Sequence, residues 1–139
     1  APSSKNLPTW RFTVLTNQAE IQALKELIAA TAQRVGSFFF GYNNPQAVIL
    51  VSNDQRNPSS IQDSACAVEN ILLAATSFGL GATWINALRP ICDEPEIRTK
   101  LDEYGIPQTH TVWSTIVLGW PAREPKPIVK NPNVVHFVD

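Results

Sequence analysis

No methionine occurs in the 139 residues, and cysteine and histidine appear only twice each. Two cysteines, Cys66 and Cys92, are too few for a disulfide scaffold or a four-thiolate zinc site. Neither belongs to a C-x-x-C pair, so both read as reduced thiols, with Cys66 expected inside a buried helix. His110 and His136 are far apart in sequence, and no dedicated metal site is expected. Charge of one sign is lacking too. Eleven Lys and Arg against twelve Asp and Glu leave a net −1, which argues against a nucleic-acid binder or a basic membrane-surface protein. No apolar run approaches the roughly 18–20 residues of a membrane span, and no secretory leader pattern is visible. A cytoplasmic setting is expected. What is present is ample apolar material. Hydrophobic residues make up 44% and charged residues 17%, enough for one folded domain over residues 1–139.

The chain reads as alternating strands and helices. Residues 1–9 (APSSKNLPT) are turn-forming. WRFTVL at 10–15 alternates large apolar with polar residues and reads as a strand. Asn17 is placed to cap a helix over about 18–34, with Ile21, Leu24, Leu27, Ile28 and Val35 on one stripe. GSFFFGYNNP at 36–45 is a loop whose three phenylalanines need cover. QAVILVS at 46–52 suits a strand buried on both faces. Residues 61–78 are apolar nearly all round, which predicts a central buried helix ending at Gly79. Glu69 and Asn70 on it would need partners across an interface.

GATWIN at 81–86 is a short strand. Asp93 and Glu96 form a capping pair for a helix to about Tyr104. TVWSTIVL at 111–118 is a further strand, and His110 just before it is expected at the surface. A proline-rich arm fills 119–133, and VVHFV at 134–138 regains strand character. This order predicts an α+β or α/β fold with helices packed on one sheet.

Two segments could carry chemistry. Pro2, Ser3, Ser4, Lys5 and Asn6 offer backbone donors and short polar side chains to a polar ligand, although composition alone favours a plain turn before the strand. The sequence GLGATWINA at 79–87 turns sharply from helix into strand, and binding sites favour strand ends. It lacks G-x-G-x-x-G, so it is no dinucleotide fingerprint.

Three blocks together carry a resemblance: APSSKNLPTWRF at 1–12, GLGATWI at 79–85 after an apolar helix, and IVLGWP at 116–121. The basic proline-rich arm followed by VVHF at 134–137 adds a fourth. In this order the set resembles the nitroreductase family of FMN-dependent oxidoreductases. The resemblance implies an α+β nitroreductase-like fold, a mixed β-sheet flanked by helices, in an intertwined homodimer sharing two FMN sites. It implies that Pro2, Ser3, Ser4 and Asn6 hold the ring edge and ribityl chain. Ile85, Asn86 and Ala87 would face flavin N5 and O4, with Trp84 along the ring. Lys126 and Lys130, with Arg123 as a further candidate, would meet the phosphate.

The implied activity is hydride transfer from NADH or NADPH through the flavin to a small oxidising acceptor such as a nitroaromatic or quinone. The flavin carries the chemistry, so no side-chain acid or base is named. The family's Arg-rich segment, some tens of residues earlier, is not among these residues. The expectation is therefore a domain whose amino-terminal part is absent, and the alternative reading is a truncated or non-enzymatic flavin-binding relative.

Overall fold

The computed structural model describes residues 1–39, 41–132 and 134–138. A 3₁₀ turn at Ser4–Asn6 precedes strand β1 (Trp10–Leu15). Helix α1 (Gln18–Val35), strand β2 (Ala47–Asp54), helix α2 (Ser60–Ser77) and strand β3 (Gly81–Ile85) follow. A 3₁₀ turn at Arg89–Ile91, helix α3 (Pro95–Glu103) and strand β4 (His110–Gly119) complete the order.

Local chemistry explains the limits of α1. The Asn17 side chain accepts the amides of Ala19 at 2.9 Å and Glu20 at 3.2 Å, filling the orphan donors of the first turn. At the other end Gly36 turns left-handed at φ 71°. The Ser37 amide then reaches back to the Ala32 carbonyl at 2.8 Å, closing the helix as glycine-terminated helices commonly close.

The four strands lie in the order β1-β2-β4-β3. Every pairing is antiparallel, so the mixed sheet expected from the sequence is not formed within the described residues. Side-chain alternation splits β2 between two layers. Val48 and Leu50 join Ile21, Leu24 and Ile28 of α1 and Ile97 and Leu101 of α3 in the larger core. Ile49 and Val51 turn to the opposite face, where Val68, Ile71 and Leu72 of α2 cover them. A bulge interrupts the β2–β4 ladder. Val51 faces Ser114 and Ser52 faces Val112, which leaves Trp113 as the extra residue.

Several expectations are corrected. Helix α2 is not enclosed: Val68 is fully buried, but Leu73 is 60% exposed and Cys66 is exposed. One sheet face covers only one side of a helix, so an all-round apolar sequence leaves its second side open. Glu69 and Asn70 lie on that open side. His110 is buried rather than superficial, because β4 starts at it and its ring meets the Ser52 hydroxyl at 3.1 Å. Asp93 does not cap α3; it pairs with Arg98 at 2.7 Å, and Glu94 holds the cap position without a side-chain bond to the helix amides. Residues 134–138 form no strand, and Val134 and Phe137 are largely exposed. Among the described residues they have no strand partner, and a lone extended segment has no ladder to join.

Candidate functional site

The site is built where α2 hands over to β3. The helix closes at Phe78, Gly79 takes φ 71°, and the Leu80 amide bonds back to the Ala75 carbonyl at 2.9 Å. This tight reversal sends β3 along the outer edge of the sheet, paired with β4 from Gly81↔Gly119 to Ile85↔Thr115. Beyond Ile85 the chain leaves the ladder. The Trp84 indole N–H donates to Asn86 Oδ1 at 2.7 Å, and the Ser114 hydroxyl lies 3.4 Å from the same oxygen. Both lone pairs of that oxygen are thereby engaged, so the amide NH₂ of Asn86 remains as a donor pair.

Trp84, Ile85, Asn86 and Ala87 line a cleft of about 970 Å³. Its other walls come from Phe38, Phe39, Gly41 and residues 43–46 and from the chain just after β4. Phe38 and Trp120 contribute exposed aromatic surface, and Arg123 lines the cleft as well. Gln46 ties these walls together. Its side-chain oxygen accepts the Trp120 amide at 3.0 Å, and its backbone carbonyl accepts from the Gln18 side chain at 3.2 Å. A Cβ on Gly119 would lie 2.3 Å from that Gln46 oxygen, so glycine leaves the room the glutamine side chain occupies.

The phenylalanine-rich loop is covered only in part. Phe39 packs edge-on to Tyr42 at 5.3 Å and joins the larger core, whereas Phe38 is 68% exposed. Phe40 lies outside the described residues. Burial of Tyr42 raises its phenol well above the ordinary range, so this tyrosine stays neutral beneath the cleft loop.

The residues expected from the sequence therefore divide. Trp84, Ile85, Asn86, Ala87 and Arg123 come together. Lys126 and Lys130 sit on the exposed arm and do not line the cleft. Pro2, Ser3, Ser4 and Asn6 do not line it either. Their turn is held at the opposite end of β2, where the Ser4 amide donates to Asp63 Oδ1 at 3.0 Å. The cleft begins at Gln46, before β2, and an eight-residue strand is about 24 Å long. Ser4 and Lys5 line a second hollow of about 430 Å³ with Thr9, Asn57 and Arg56. Gln46 and Asp63 were not singled out by the sequence. The only signal for Asp63 is its place in the first turn of a helix, which many carboxylates share. Among the described residues, no group of three or more His, Cys, Asp and Glu is placed to hold a metal ion. No helix among them is long and apolar enough to cross a membrane.

The sheet thus carries α1 and α3 on one face and α2 on the other, with an aromatic-walled cleft at its edge strand. The sequence profile of the Nitroreductase family matches residues 1–120. A provisionally named NADH dehydrogenase/NAD(P)H nitroreductase of Archaeoglobus fulgidus is 30% identical over 131 residues, covering 89% of this chain and 68% of that protein. A counterpart of the same name from Methanothermobacter thermautotrophicus is 32% identical over 127 residues, and there the match spans 89% of this chain but only 61% of the relative. The crystal structure of a Bacteroides fragilis nitroreductase with bound FMN superposes with a TM-score of 0.88 at 30% identity, covering 100% of this chain and 81% of that one. The chain belongs to the nitroreductase family, a family of oxidoreductases.

Proposed function

We propose that the chain binds FMN and, as an oxidoreductase, passes a hydride from NADH or NADPH to a small oxidising acceptor such as a nitroaromatic or a quinone. The observation that carries this reading is the line of residues 84–87 along a cleft of about 970 Å³, toward the upper end of the volumes that hold small ligands. FMN is a flat apolar ring system with one polar edge and an anionic tail. The residues of the cleft suit each part. Trp84, Trp120 and Phe38 offer flat apolar surface. The free NH₂ of Asn86 suits a carbonyl or ring nitrogen, and Arg123 supplies a cation. FMN, when bound, supplies the hydride-carrying centre at N5.

The work left to the chain is placement. The turn through Ile85, Asn86 and Ala87 holds the polar edge, with Trp84 fixing the Asn86 side chain. Apolar walls exclude water from the ring face. Arg123, with Lys126 and Lys130 brought in by the arm, neutralises the phosphate. Each charge-assisted contact of that kind contributes roughly 1.5–3 kcal/mol. Residues 2–6 cannot serve the cleft of their own chain from the far end of β2. We place them at the cleft of a second copy, so that a homodimer holds two shared sites. The two free thiols suit a reducing compartment such as the cytoplasm.

An absorbance spectrum of the purified chain, followed by titration with FMN, tests the reading. Saturable quenching of FMN fluorescence and acceptor-dependent oxidation of NADH or NADPH are expected. Binding without turnover would favour the non-enzymatic flavin-binding alternative. No binding at high FMN would overturn both.

A further inference from the structure

Asp63 is a carboxylate in surroundings where carboxylates are rare. It is 5% exposed, and no ion pair among the described residues includes it. It lies in the first turn of α2. Both of its oxygens accept from neutral donors. Oδ1 takes the Ser4 amide at 3.0 Å, and Oδ2 takes the Asn57 side-chain amide at 2.9 Å. Asn57 is itself anchored, donating to the Thr9 hydroxyl at 2.9 Å and accepting the Ser59 amide at 2.9 Å. Thr9 in turn donates to Asn53 Oδ1 at 2.6 Å. The acid is thus the terminal member of a rigid chain of polar contacts rooted in β2 and the start of α2.

What Asp63 holds is strained. Lys5 and Asn6 have φ of 54° and 55°, two consecutive left-handed residues that are not glycine. Within the turn only two backbone bonds support this shape, Asn6 to Ser3 and Leu7 to Ser4, both at 3.1 Å. Such a conformation persists only where its surroundings over-determine it. The amide that Asp63 grips lies immediately before the two strained residues.

We propose that Asp63 is a positioning residue: through the Ser4 amide it fixes the strained turn of residues 3–6 in the shape that presents Ser3, Ser4 and Asn6 to the flavin. The inference rests on the flavin reading above and adds to it a residue that never touches the cofactor. Asp63→Asn keeps the size but turns one acceptor into a donor, which then opposes either the Ser4 amide or the Asn57 amide.

Two measurements on the full chain decide it. Without flavin, hydrogen exchange at the Ser4 amide, read by NMR, is expected to quicken at least ~10-fold in Asp63→Asn while the amides of Leu24 and Ile97 are unchanged. With FMN, the dissociation constant is expected to rise ~10-fold or more. Ile97→Val, a core truncation on the opposite face of the sheet, is the control. It lowers stability and is expected to leave FMN affinity alone. Unchanged Ser4 exchange would overturn the proposal. So would equal weakening of FMN binding in Ile97→Val at a matched loss of thermal stability. Should Asp63→Asn fail to fold, Asn57→Ala removes the Oδ2 partner together with the contacts of Asn57 to Thr9 and Ser59 but leaves the Asp63–Ser4 bond in place, and the same two shifts are expected at smaller size. If the unsubstituted chain takes up no FMN, the flavin reading falls by itself, and Ser4 exchange still decides whether Asp63 is the clamp.

Discussion

Burying an imidazole without a close counter-charge favours its neutral form, and His110 shows this. Burial holds its pKa below the ordinary value, with Arg11, Arg56 and Arg98 pushing the same way and Asp54 opposing them. The unfolded chain therefore binds a proton more readily than the folded one. Stability is unaffected by this group above its unfolded pKa near 6.5. It falls as pH drops through that value, and the loss is complete once pH is below the folded pKa. Acidifying from pH 7.5 to 5.5 should lower the melting temperature, and His110→Gln should remove that part of the decrease. A His110→Gln chain that melts with the same pH dependence as the parent would refute the assignment. The sequence concealed this residue, because a histidine after a Pro-Gln-Thr turn looks exposed. The alternation that buries Val112 also turns His110 inward, and that signal was present once β4 is started one residue earlier.

Among the elements, those closed by local chemistry were legible and those closed by tertiary contacts were not. Helix α1 announces itself through Asn17, a stripe of aliphatic residues and Gly36, all of which act within a turn or two of the chain. Asn17→Ala should remove two side-chain acceptor contacts and cost about 1 kcal/mol. For a chain of this length that is a fall of about 3–4 °C in melting temperature, readable by calorimetry. No change would mean that tertiary packing alone sets the start of α1. Helix α2 was harder. Its composition fits burial on every side, and nothing in a single sequence says which chain supplies the cover. Residues 134–138 pose the same difficulty. Their strand-like pattern is real, yet a strand is defined by its neighbour, and none is found among the described residues.

For the whole molecule, the candidate site divides along the same line. The half carried by residues 84–87 was legible because a helix, two glycines and a strand place it within one continuous segment. Residues 2–6 were legible as residue types, but they lie outside the cleft of their own chain, and the proposal places them at it only through association of two chains. The exposed side of α2 bears on that association. Leu73 is 60% and Phe78 75% exposed, and Phe12 and Val14 of edge strand β1 are also open. Covering a large aliphatic side chain is worth about 1.5–3 kcal/mol, so several such residues together would hold two copies firmly. Leu73→Glu places a charge on this surface while leaving the buried face of α2 untouched. It should shift the chain toward monomer in sedimentation, with FMN affinity falling in step and the folded far-ultraviolet spectrum retained. Self-association abolished with FMN affinity intact would place the whole flavin site within a single chain. In that case residues 2–6 would be relieved of their role at the cleft, and the strained turn beside Asp63 would need another explanation.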